Sequence, residues 1–194
     1  DDPLVNEIPS GSAFGYDIDM DDSGDWLFVS AYNASDRTLE TGKVIIYKWN
    51  GTEFEFSQIL RNPSSTPGLK FGHSIESDAS GNILTIGAQG SNFIGDTFDK
   101  DTTSFDSEST KFGTLAKDSG SVYVYNRYEK KFIFATELFD NNVTAFSKYG
   151  FTVSTNRNAI YVSSPFYVTK NTTKGGSILV WNAIDPDANS WKLL

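Results

Sequence analysis

Residues 71–88 read Phe71-Gly72-His73-Ser74-Ile75-Glu76-Ser77-Asp78-Ala79-Ser80-Gly81-Asn82-Ile83-Leu84-Thr85-Ile86-Gly87-Ala88, and the chain writes this script three times. Upstream it begins at Phe14-Gly15-Tyr16-Asp17-Ile18, turns at Asp21-Asp22-Ser23-Gly24-Asp25 and continues as Trp26-Leu27-Phe28-Val29-Ser30-Ala31. Downstream it begins at Tyr149-Gly150-Phe151-Thr152-Val153, turns at Asn156-Arg157-Asn158 and continues as Ile160-Tyr161-Val162-Ser163-Ser164-Pro165. Phe14 to Leu27 and Phe71 to Leu84 both span 13 positions, and Tyr149 to Ile160 spans 11 because its turn is shorter. Each copy is followed by two more runs: Gly42 to Tyr47 and Phe54 to Leu60, Gly120 to Tyr125 and Phe132 to Leu138, Gly176 to Trp181 and Trp191 to Leu194. These runs are rich in Val, Ile, Tyr, Phe and Trp and are bounded by Gly, Asn, Asp and Ser, which is strand and hairpin chemistry. No window sustains a helical period. The reading is an all-β chain with four strands per repeat.

A four-stranded antiparallel unit repeated in tandem predicts the blades of a β-propeller. Trp26-Leu27-Phe28-Val29 is continuously apolar, as a strand covered on both faces is, whereas Phe54-Glu55-Phe56-Ser57 alternates and suits an outer strand with one wet face. The expected organisation is a lead-in at 1–11, blade 1 at 12–62, blade 2 at 69–140 with a long insert at 89–118, and blade 3 at 147–194. Propellers close with four to eight blades, so three predict part of a larger propeller, an excerpt of a longer repeat protein. The alternative is two chains completing a six-bladed ring.

The Phe-Gly opening, the turn, the strands ending Ser30-Ala31, Gly87-Ala88 and Ser163-Ser164-Pro165, and the Gly-x-Val-x-x-Tyr runs resemble the FG-GAP repeat of integrin α-chain-type β-propellers. The resemblance extends over 12–194 in three degenerate copies. It implies a propeller, and it implies an extracellular, cell-surface or virion-surface setting in which blades present loops to partners.

Composition narrows the function. The chain has 25 acidic and 16 basic residues and a formal net charge of -9, a poor match for nucleic acid, whose binding rests on Lys and Arg neutralising phosphates. Anionic membrane surfaces are disfavoured for the same reason. No run of 18 apolar residues is present, so no membrane-spanning helix or membrane insertion is expected. The absence of cysteine removes disulfides, thiol catalysis and cysteine metal sites. One histidine and no nucleophile elbow, phosphate loop or dinucleotide fingerprint leave little for catalysis, and no enzyme is expected. Charge is uneven: residues 1–62 carry 12 acids and 4 bases, and residues 142–194 carry 2 acids and 5 bases.

Three groups of residues are candidate sites. Asp17, Asp19, Asp21 and Asp25 alternate towards a Gly turn, as oxygen ligands of calcium do; the other reading is a solvated hairpin, where Asp tolerates turn geometry. The insert Gln89 to Asp118 is polar but carries Phe93, Phe98, Phe105 and Phe112, which either anchor a partner or pin the insert to its blade. Asn33, Asn50, Asn142 and Asn171 stand in Asn-x-Ser/Thr triplets, acceptors for N-glycosylation in a secreted chain. His73, in the slot of Tyr16 and Phe151, is expected to pack or to donate a hydrogen bond. The functional expectation is a non-enzymatic interaction module, an adhesion-type repeat protein binding a protein or glycan through its loops, with no cofactor unless calcium occupies the aspartates. The alternative is a structural building block of a filament, capsid or appendage that self-associates through its blade faces.

Overall fold

A computed structural model describes residues 7–36, 39–63, 68–91, 93–94, 115–140, 145–167, 175–185 and 190–194. Among them there is no helix. The chain runs through β1 (Phe14–Met20), β2 (Trp26–Ala31), the two-residue ribbon β3 (Ser35–Asp36) and β4 (Leu39–Glu40), then β5 (Lys43–Trp49) and β6 (Phe54–Arg61). It repeats as β7 (Phe71–Ser77), β8 (Ile83–Ala88), the ribbon β9 (Phe93–Ile94) and β10 (Leu115–Ala116), β11 (Ser121–Tyr128) and β12 (Lys131–Leu138). It ends with β13 (Val153–Thr155), β14 (Ala159–Ser164), β15 (Ser177–Asp185) and β16 (Ser190–Leu193). Three four-stranded sheets result, ordered β1-β2-β5-β6, β7-β8-β11-β12 and β13-β14-β15-β16, every pairing antiparallel. They are blade-like: the first strands lie together, with β7 packed against β1 on one side and β13 on the other.

The continuous apolar runs are explained by two interfaces fed from opposite faces of the middle sheet. Leu84, Ile86, Tyr123, Tyr125 and Phe132 join Phe71 and Ile75 to meet Trp26, Phe28, Val44, Ile46 and Leu60 of the first sheet. The Phe132 ring stands edge-on to Trp26 at 5.4 Å and to Phe28 at 5.3 Å. Alternate residues of the same strands, Ile83, Val122 and Val124, turn with Leu138 towards Tyr149, Val153, Ile160 and Val162 of the third. Each large apolar side chain fully buried this way contributes roughly 1.5–3 kcal/mol. The outer strands are tied by one amide: Gln58 donates to the Phe132 carbonyl and accepts from the Phe132 N–H, both at 2.9 Å.

Phe-Gly has a local cause. Tyr16 N–H donates to Ala13 O, His73 N–H to Lys70 O and Phe151 N–H to Lys148 O, so each repeat opens on a β-turn with Phe or Tyr second and Gly third. Gly15, Gly72 and Gly150 have φ of 83°, 87° and 78°, the left-handed value such a third position needs. Ala13, Lys70 and Lys148, just before, are left-handed as well.

Two features differ from the sequence reading. The third repeat's first strand is only three residues long, although its Thr152 N–H meets the Ser163 hydroxyl at 2.9 Å just as the Asp17 N–H of the seven-residue β1 meets the Ser30 hydroxyl at 3.0 Å. A bulge interrupts the third-to-fourth strand pairing of every sheet, at Ile46/Tyr47, Val124/Tyr125 and Ala183/Asp185.

Candidate binding surface

One end of the sheets carries the short hairpins at 21–25, 78–82 and 156–158. The other carries the connections between sheets and the root of the insert, and the repeat-opening turns release their fourth residues there. Tyr16, His73 and Phe151 thereby come together. The Tyr16 and His73 ring centroids are 5.3 Å apart and those of His73 and Phe151 4.9 Å. Tyr32, just past β2, adds a fourth ring 4.3 Å from Tyr16, with the Lys70 ammonium 5.9 Å above it. Tyr16 is exposed and the other three rings are partly exposed.

The hydrogen bonds fix the tautomer of His73. Its Nδ1 lies 3.1 Å from the Phe151 carbonyl, which can only accept, so Nδ1 carries the proton. Nε2 then accepts from the Tyr16 hydroxyl at 3.2 Å. Burial holds the imidazole below its usual pKa, against a smaller opposing pull from that carbonyl. A His whose folded pKa is depressed contributes stability above its unfolded value of about 6.5, and loses it as pH falls through the lower folded value. Protonation also removes the acceptor for Tyr16. We expect NMR titration of the His73 ring, the only imidazole in the chain, to give a pKa below 6.5. A value at or above 6.5 would show the ring to be solvated and the cluster loose.

The root of the insert lies at this same end. It is held by Gly90 N–H on Leu69 O, by Phe146 N–H on Lys117 O and by Ser121 Oγ on Ser91 Oγ. Phe93 lies in β9 of its two-residue ribbon, while Phe98, Phe105 and Phe112 lie outside the described residues. The lead-in is clamped here too. Lys43 Nζ, 3% exposed, reaches Glu7 Oε2 at 2.7 Å and Glu7 O at 2.9 Å, and Arg61 meets the same carboxylate at 2.7 Å. The hydrogen bond from Lys43 leads in holding the Glu7 carboxyl below the usual range, against partial desolvation. The contribution of such a carboxylate is complete above its unfolded pKa, near 4.5, and fades as pH falls through the lower folded value. We expect E7Q to cost about 1–2 kcal/mol at pH 7, allowing for the third of Glu7 that is exposed, with the gap to wild type narrowing only in strongly acid buffer. A gap that is the same at every pH would remove the ion pair as its cause.

The four aspartates do not converge. Asp17 Oδ2 accepts the Ile75 N–H at 2.7 Å, and Asp19 Oδ2 accepts the Ser77 N–H and hydroxyl at 2.6 Å each. From β1 they thus supply acceptors to the outward amides of β7. Asp21 folds into its own hairpin, accepting from Asp25 N–H, Trp26 N–H and the Ser23 hydroxyl. Asp25 pairs with Lys48 at 2.6 Å. Among the described residues no three His, Asp or Glu side chains are grouped to hold a metal ion. Of the glycosylation triplets, Asn33 donates to Gly11 O and Asn50 accepts from Thr52 and Glu53 in an exposed turn. Asn142 and Asn171 lie outside the described residues.

The ring cluster was not picked out from sequence as a surface. Its signal was there, three aromatic or imidazole side chains in one repeat slot, but nothing in one repeat says that neighbouring copies of the slot meet. Tyr32 has no counterpart in that slot and carries no sequence signal. Comparison of the chain with protein-family models and with curated proteins finds no match.

Proposed function

We propose that the chain is a non-enzymatic interaction module of FG-GAP type, from an extracellular, cell-surface or virion-surface protein, which holds a protein or glycan at the loop end of its sheets. The observation that carries this reading is the cluster of Tyr16, Tyr32, His73 and Phe151 at that end. Rings with one buried and one wet edge, bearing a phenol and an imidazole, offer apolar contact area and hydrogen bonds together, at little cost in side-chain entropy. Behind them stand sheets packed through two buried interfaces, and the root of the longest insert lies at the same end, the usual division between scaffold and contact loops.

The test is a binding screen on glycans and on surface proteins, followed by titration of each hit while the His73 ring resonances are observed. The Y16A/Y32A double variant is expected to weaken a true ligand at least tenfold with the thermal melt little changed. A second variant joins Ile94 to Leu115 through two glycines, keeping the ribbon root, and separates the insert from the cluster. Hits unaffected by both variants would remove the loop end as the site.

A further inference from the structure

The hairpin end, opposite the ring cluster, carries two cavities. One, of about 250 Å³, lies where the second sheet meets the hairpin of the third, beside Ser80, Asn82 and Arg157. The other, of about 940 Å³, lies where the first and second sheets meet, beside Trp26, Lys48, Lys130 and Lys131. Arg127 and Tyr128 line both, so the two share a wall at the end of β11. Each is bounded by two neighbouring sheets of this chain.

Charge at this end runs against that of the chain. Acids outnumber bases 25 to 16 overall, yet the two cavities are lined by five cations, Lys48, Arg127, Lys130, Lys131 and Arg157, against two carboxylates, Asp78 and Glu129. Asp78 is buried and engaged in its own turn, and Lys48 is shared with Asp25 at 2.6 Å. Lys130 and Lys131 are exposed and have no ion-pair partner among the described residues. A cleft lined by an excess of one sign concentrates ions of the other. Arg127 is already fixed in place. Its Nε donates to Gly81 O at 2.9 Å, its Nη2 to Asn82 Oδ1 at 2.6 Å and to Ser80 O at 3.3 Å, and its guanidinium stands 5.2 Å from the centre of the Trp26 ring. These bonds leave Nη1, with two N–H donors, without a partner among the described residues. Tyr128, 52% exposed, sets a wet aromatic ring between the cavities. Ser80 Oγ donates to Asp78 and can still accept, and Asn82 Nδ2 can donate.

We propose that the hairpin end binds an acidic polysaccharide of the polyuronate kind, one carboxylate on each sugar, laid across the β11–β12 hairpin. Arg127 Nη1 would donate to one carboxylate and Lys130 and Lys131 to its neighbours along the polymer. The Tyr128 ring would lie under the apolar face of the sugar between them, with Ser80 and Asn82 meeting hydroxyls. Five cations less two carboxylates leave a surplus of three, which matches a few singly charged sugars and falls short of a densely charged polymer. The site does not depend on the ring cluster at the loop end.

Calorimetric titration of the 194-residue chain with oligogalacturonate is expected to show binding that weakens roughly tenfold between about 50 and 200 mM salt, with a neutral galactose oligomer inert. K130Q/K131Q changes two exposed side chains and should melt as wild type. It should weaken the uronate about tenfold and flatten the salt dependence. Y128A should weaken it about fivefold with the salt dependence kept, which separates stacking from charge. Y16A/Y32A should bind the uronate as wild type does, so failure of the loop-end reading would leave this site standing. No binding at the lower salt overturns the proposal, and so does binding kept in K130Q/K131Q. Equal affinity for polyglutamate would make the site one for acidic peptides and overturns it as well.

Discussion

Replacing Gly120 with alanine is expected to lower the melting temperature by about 10 °C, corresponding to roughly 3–5 kcal/mol. The residue has φ of 91°, and a Cβ there would fall inside van der Waals contact with the carbonyl oxygen of Tyr149. The left-handed backbone alone costs an alanine about 1–2 kcal/mol. The rest is the forced separation of the second and third sheets, whose contact Tyr149 seals. Gly42 meets Phe71 O in the same way and should behave alike. G15A is the control: its φ is 83° with nothing nearby, so its cost should stop at about 1–2 kcal/mol. Equal losses for G120A and G15A in urea unfolding would mean that the junction yields easily.

D78A should be comparably damaging, by about 3–5 kcal/mol, from a different cause. The Asp78 carboxylate is 2% exposed and accepts the Asn82 and Ile83 N–H groups at 2.7 Å each, as well as the Ser80 hydroxyl. Truncation strands these donors, each at about 1–3 kcal/mol less whatever water regains. D78N should cost less than half as much, because the third hairpin already works with an amide: Asn156 Oδ1 accepts the Asn158 and Ala159 N–H groups at 2.8 and 2.9 Å. If D78N is as harmful as D78A, the negative charge and not the geometry holds the turn.

These hairpins also mark how far the sequence could be read. Twelve sheet strands and their turns were legible because a repeat compares itself: Asp21, Asp78 and Asn156 stand at one position, each before a short polar turn and an apolar run. What a residue reaches in the next sheet was not. Asp17 and Asp19, spaced two apart on a strand, present the same pattern whether they wait for a cation or for the amides of β7, and only the neighbouring strand distinguishes the two. Lys43 follows a Gly at the start of a strand and looks like any surface lysine. Its burial comes from Glu7, 36 residues earlier, in a segment with no strand pattern. The bulges were hidden because one extra residue in a partly exposed stretch, Ser57 of β6, Ala135 of β12 or Ile184 of β15, shifts the faces of its strand without changing its composition.

The two sheet junctions each own an indole, which gives them separate optical reporters. Trp26 lies in the first, its ring flanked by the Lys48 ammonium at 5.0 Å and the Arg127 guanidinium at 5.2 Å. Trp181 serves the second, its Nε1 donating to the Tyr149 hydroxyl at 2.6 Å. With Trp49 and Trp191 replaced by phenylalanine, and one of these two in turn, a denaturant series would follow each seam by its own emission. Coincident curves would make the three sheets one cooperative unit. Separated curves would show the array coming apart seam by seam, as a chain of nearest-neighbour contacts does.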